Sequence, residues 1–81
     1  TFGDLRDLIN RPYSRRDTVV VAPTDLIVVA WQRMKLYDVS QLPVMEGDRI
    51  VGIIDESDVL LHVYGNESRF REPVSTAMVT K

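Results

Sequence analysis

The twenty residues from Val39 to Asp58, VSQLPVMEGDRIVGIIDESD, constrain what this chain can fold into more than any other stretch. Gln41-Leu42-Pro43-Val44-Met45 and Arg49-Ile50-Val51-Gly52-Ile53-Ile54 are aliphatic, β-branched runs of strand length. Between them, Glu46-Gly47-Asp48 supplies the chemistry of a tight turn, so the two runs are predicted to form a β-hairpin. The second run leads directly into Asp55-Glu56-Ser57-Asp58. There an aspartate stands at the N-cap position, with another acid three residues later, ahead of Val59, Leu60 and Val63. A helix over Glu56 to Tyr64 therefore follows the hairpin. Gly65-Asn66 suits a left-handed cap at its end.

Upstream, Thr18-Val19-Val20-Val21-Ala22 is a compact β-branched run closed by Pro23 and reads as a buried strand. Thr24-Asp25 offers capping groups for a helix from about Leu26 to Asp38. Ile27, Ala30, Met34 and Tyr37 form its apolar face, widened by Trp31. Phe2, Leu5, Leu8 and Ile9 recur at helical spacing until Pro12, and residues 11–17 form a polar connector. Glu67 to Glu72 is polar, and Pro73 to Met78 is expected to begin another short helix. A strand, a helix and then a hairpin imply a parallel pairing with a right-handed crossover beside an antiparallel one. The predicted fold is a small α/β (α+β) domain, β-α-β-β-α, with a mixed three-stranded sheet and short flanking helices.

Composition narrows the function classes. Eighty-one residues make one small domain, near the size at which a single core is marginal and a partner or a longer parent helps. With a net charge of −2 and scattered basic residues, the chain lacks the electrostatic footprint of a nucleic-acid or anionic-membrane surface. It has no cysteine, which excludes disulfides and thiolate chemistry and fits a reducing, cytoplasmic compartment. No apolar run reaches the ~18 residues of a membrane span. Catalytic groupings are absent as well. His62 has no nucleophile or carboxylate that sequence can set beside it, Asp4 and Asp7 read as solvated surface, and no lysine has the context of a pyridoxal-phosphate Schiff base. The chain is expected not to be an enzyme and to hold no metal.

The order of elements over Thr18 to Tyr64, the entry Val39-Ser40-Gln41-Leu42-Pro43-Val44, and Arg49-Ile50-Val51-Gly52-Ile53-Ile54 leading to Asp58 together resemble a CBS domain, named for cystathionine beta-synthase. On either side, Gly3 to Ile9 and Pro73 to Met78 are similar to the C-terminal region of bacterial cystathionine beta-synthases, which are pyridoxal-phosphate enzymes. The resemblance implies a helix and connector over 1–17, a CBS motif over 18–65, and over 66–81 a connector leading to a second motif. It also implies a non-catalytic regulatory and oligomerising module of cysteine metabolism. Its expected partners are a second CBS motif in cis or a homodimer in trans, and the catalytic domain of the parent, which would carry the pyridoxal phosphate. The alternative host is a transporter, channel or dehydrogenase, for which the module would sense an adenosine ligand.

For such a ligand the resemblance implies a site at Thr18, Val19, Val39, Ser40, Gln41, Asp55 and Asp58. Backbone groups near Val39 to Gln41 can read a base edge, apolar neighbours can cover its face, and Asp58 can accept from a ribose diol. Each position also has a plainer role: core packing for Val19 and Val39, and helix capping worth ~1 kcal/mol for Asp55 and Asp58. Asp55 stands where the family has Thr or Ser. A carboxylate there, with Glu56 beside it, disfavours nucleotide phosphates and favours adenosine or the cationic S-adenosylmethionine.

Overall fold

The computed structural model describes residues 19–80; the expected N-terminal helix and its connector, together with Thr18, lie outside the described residues. Helix α1 spans Ile27–Tyr37, strands β1 and β2 span Gln41–Glu46 and Arg49–Asp55, helix α2 spans Glu56–Val63, and strand β3 spans Val79–Thr80. Two 3₁₀ turns, Glu67–Arg71 and Val74–Thr76, connect α2 to β3.

The hairpin forms as its sequence requires. Gly47 takes φ 65°, a conformation in which a side chain is strained, and β1 and β2 pair antiparallel from Gln41↔Asp55 to Glu46↔Arg49. The register slips between Val44↔Gly52 and Met45↔Ile50, leaving Val51 as the extra residue of a bulge. Because cross-strand partners share a face, the slip turns Ile50 to the outer face with Met45, while Leu42, Val44 and Ile54 stay buried on the inner one.

The predicted mixed sheet is corrected in one respect. The three strands lie in the order β1-β2-β3 and are antiparallel throughout, and the third is Val79–Thr80 rather than the run from Thr18. That run contributes a single parallel bridge, Val21↔Val44. In it the Val21 amide donates to the Pro43 carbonyl at 3.1 Å and Met45 donates back to Val21 at 2.8 Å. The bridge cannot grow in either direction, because the next amides the parallel ladder needs are those of Pro23 and Pro43, and proline has no N–H. The Val20 carbonyl accepts from the Arg33 guanidinium at 2.7 Å, and the Ala22 amide donates to the Asp25 carboxylate at 2.8 Å in a turn through Pro23.

Asp25 is thereby used on the turn and does not cap α1. The N-cap residue is Leu26, with no side-chain cap, and the free Ile27 amide donates instead to the Glu72 carbonyl at 2.8 Å. At the other end Asp38 adopts a left-handed conformation and closes the helix onto the Met34 carbonyl. Ile27, Ala30 and Met34 are buried as their spacing predicts, whereas Tyr37 and Leu60 are exposed. Ile27, Ala30 and Met34 make one core with Val21, Leu42, Val44, Ile54, Val59, Val63 and Val74. The predicted helix after Pro73 is a 3₁₀ turn, and its Val74 is fully buried in that core. No helix among the described residues is long and apolar enough to cross a membrane.

Candidate functional site

The hairpin register sets Gln41 opposite Asp55, at the point where β2 becomes α2. One residue to either side, the Glu56 amide donates to the Ser40 carbonyl at 3.0 Å. Ser40, Gln41, Asp55 and the first turn of α2 thus form one continuous corner of the molecule.

At this corner Asp55 and Asp58 form a reciprocal capping box. Asp55 Oδ1 accepts the Asp58 amide at 2.8 Å, and Asp58 Oδ2 accepts the Asp55 amide at 3.0 Å. The capping role read from the sequence is therefore present for both acids. Ser57 adds its hydroxyl to Asp55 Oδ1 at 2.9 Å. Each carboxylate keeps one oxygen with no protein hydrogen bond among the described residues. The two carboxyls are driven apart: the Asp58 amide, with the Ser57 hydroxyl, holds Asp55 below the ordinary carboxylate range, whereas burial pushes Asp58 up.

The remaining predicted positions divide. Val19 is half-buried and packs against the core, in keeping with the plainer reading. Val39 is 38% exposed, just after the Asp38 cap, so core packing does not account for it. Thr18 lies outside the described residues. Sequence reasoning missed Lys35, which bonds Glu56 at 2.7 Å and lies 4.4 Å from the centre of the Trp31 ring. The pair offsets the Glu56 charge at the corner and leaves Asp55 and Asp58 as its anionic groups. No local signal marks it, because the partners are separated by a strand pair. An open groove of about 470 Å³, lined by Val28, Glu67, Ser68, Phe70 and Arg71, shares no residue with this corner. No group of three or more metal-ligating side chains occurs among the described residues.

Comparisons with known proteins agree with this architecture. The chain superimposes on a CBS-domain containing protein of Agrobacterium tumefaciens with a TM-score of 0.74 and 27% identity, covering 80% of this chain and 50% of that one. A signal-transduction protein with CBS domains from Burkholderia ambifaria gives a TM-score of 0.70 and 26% identity over 94% of this chain and 57% of that one. The fold is shared, at 20% identity and a TM-score of 0.69, with the Arabidopsis thaliana CBS-pair protein CBSX2, solved in complex with AMP; 83% of this chain and 54% of that chain are covered. The chain therefore spans about half the length of each of these structures. No curated protein matches it. The CBS domain family model matches residues 5–65, and the chain belongs to the CBS domain family.

Proposed function

We propose that this chain is a regulatory module that binds an adenosyl ligand through Thr18, Val19, Val39, Ser40, Gln41, Asp55 and Asp58, with Ser40, Gln41, Asp55 and Asp58 at the corner described above. The observation that carries the reading is the junction of β1, β2 and α2. It sets an exposed Val39 and the Ser40–Gln41 backbone beside two aspartates, each with a carboxylate oxygen left over from capping. Those oxygens accept from ribose hydroxyls, and Val39 covers a base. CBS domains in general are regulatory modules for adenosine ligands, and CBSX2, of the same fold, was solved with AMP.

Asp55 and Asp58 give the corner a negative charge that Lys35, bonded to Glu56, does not cancel. Affinity should accordingly rank S-adenosylmethionine and adenosine above AMP, and AMP above ATP. Calorimetric titration with these four ligands is the test. Asp58→Asn should weaken adenosine binding by ~1–3 kcal/mol while the fold survives. ATP binding more tightly than adenosine at low salt, or unchanged adenosine affinity in Asp58→Asn, would remove these acids from the site.

A module of this kind works in pairs, and CBS domains typically pair with a second CBS motif. We read residues 66–81 as the connector toward such a motif in cis, with a homodimer as the substitute in trans. The similarity of Gly3 to Ile9 and Pro73 to Met78 to bacterial cystathionine beta-synthases supports a cytoplasmic pyridoxal-phosphate lyase of cysteine metabolism as the parent. Sequencing the gene on both sides of this segment would test that parentage. An upstream domain with a Schiff-base lysine is expected, and a transporter or channel domain would overturn it.

A further inference from the structure

Away from the acidic corner, one side-chain cluster joins α2 to the segment that follows it. His62, in the last turn of α2, places Nε2 2.7 Å from Glu72 Oε1 and 3.3 Å from Thr76 Oγ1. The Thr76 hydroxyl donates its own hydrogen to the Pro73 carbonyl at 2.7 Å, so its oxygen acts as an acceptor toward His62, as does a carboxylate. Both partners therefore require a hydrogen on Nε2. The second proton of the ring goes to Nδ1, so protonation adds a charge without breaking the contact.

The Glu72 end is anchored in the remainder of the fold. Its carbonyl accepts the Ile27 amide that opens α1, and its own amide donates to the Arg69 carbonyl at 3.0 Å. Just beyond it, Val74 and Ser75 donate to the Asp25 and Pro23 carbonyls at 2.7 and 3.0 Å. A pull on the Glu72 side chain is thus a pull on the start of α1.

Among the described residues, the charged surroundings of His62 are few. Glu72 is the facing anion. Arg69 of the first 3₁₀ turn donates to the His62 carbonyl at 3.1 Å and opposes an imidazolium charge while favouring the carboxylate. Asp58 stands one turn earlier on α2, bound into the capping box. Helix α1 places no charged side chain in hydrogen-bond or ion-pair contact with His62 among the described residues. The side chains of His62 and Glu72 are 20% and 42% exposed, sheltered enough to hold one geometry and open enough to exchange protons with solvent.

We propose that His62 and Glu72 form a proton-controlled latch that fastens α2 to the connector over Glu67 to Thr76, tightening as pH falls through the imidazole range. The hydrogen bond from His62 holds Glu72 below the ordinary carboxylate range, so the anion is in place throughout this window. Glu72's own contribution is present above that ordinary range and is lost only as pH falls through its lowered value. The latch therefore loosens on the alkaline side, where His62 carries no charge, and on the acid side, where Glu72 gains a proton.

A double-mutant cycle tests this, with His62→Gln, Glu72→Gln and the double variant unfolded chemically at about pH 5.5 and about pH 8.5, either side of the imidazole range. The cycle cancels the attraction between His62 and the C-terminal end of its helix, which Glu72→Gln leaves intact. Expected is a coupling of about two- to fivefold in the unfolding equilibrium constant at the lower pH, close to none at the higher. Hydrogen exchange at the Ile27 amide, corrected for its intrinsic rate, should show more protection at the lower pH in the parent chain but not in Glu72→Gln. Coupling equal at both pH values, no coupling at either, or Ile27 protection that does not respond to pH would each overturn the proposal.

Discussion

Asp55 and Asp58 hold each other's backbone amides, yet their environments give their titrations opposite signs. Hydrogen bonds from the Asp58 amide and Ser57 lower Asp55, so its contribution to stability is present above the ordinary carboxyl range, ~3.9, and is lost as pH falls through its folded value. Burial raises Asp58, whose contribution is instead present at low pH and lost as pH rises through its folded value. Carboxyl-carbon NMR should find Asp58 titrating above Asp55. In Asp55→Asn, which keeps a capping oxygen but no charge, Asp58 should move down as the neighbouring anion disappears. The reverse order would mean that the capping box is not formed in solution. The cap itself was legible in the sequence, since an N-cap acid and its N3 partner lie three residues apart. The leftover carboxylate oxygens were not, because they depend on which other side chains arrive. His62 shows the same divide: its neighbours in sequence are apolar, and its partner Glu72 stands ten residues away beyond a 3₁₀ turn.

Among the elements, Gly52 shows how tightly β3 is laid against β2. A Cβ at this position would lie 2.8 Å from the Val79 carbonyl oxygen and 3.0 Å from the Met78 sulfur. The sulfur can move aside, but the carbonyl belongs to the strand. Gly52→Ala should therefore cost ~1–3 kcal/mol, the range for overpacking, and should release β3 first. Thermal unfolding measures the loss, and hydrogen exchange at Val79 and Thr80 locates it; unchanged stability would show that β3 does not close on β2. A glycine inside a strand pattern does signal close approach. The sequence nonetheless offered no partner for it, because a two-residue strand is too short to show alternation. The run from Val19 presented the opposite difficulty: a strong strand pattern that Pro23 and Pro43, lacking amide hydrogens, hold to one bridge, with Asp25 closing the turn beyond it.

At the scale of the whole molecule, the apolar faces of the two helices are mostly spent on the core. Ile27, Val59 and Val63 are buried, and Trp31 packs edge-on against Phe70 at 6.4 Å. Exposed apolar side chains remain on the outer face of the sheet at Ile50, Ile53 and Val79, at the end of α1 at Leu36 and Tyr37, and at Leu61 of α2 and Tyr64 just past it, the last two 78% and 86% exposed. The chain spans about half the length of the structures it resembles, and these exposed faces fit coverage by a second motif or a second copy. Sedimentation equilibrium should show a dimer at ~100 μM that Ile53→Lys or Leu61→Lys weakens; a monomer at that concentration would count against pairing in trans. The sequence by itself determined the hairpin, both long helices, the capping box and the buried faces, because turn geometry, capping and helical period act between residues at most a few positions apart. Only the tertiary structure decided which strand completes the sheet, that the Glu72 carbonyl opens α1, that Lys35 pairs with Glu56, and that His62 meets Glu72. In each of these, several polar groups or strand edges compete for the same partner, and the choice follows from which of them packing around the core brings within hydrogen-bond reach.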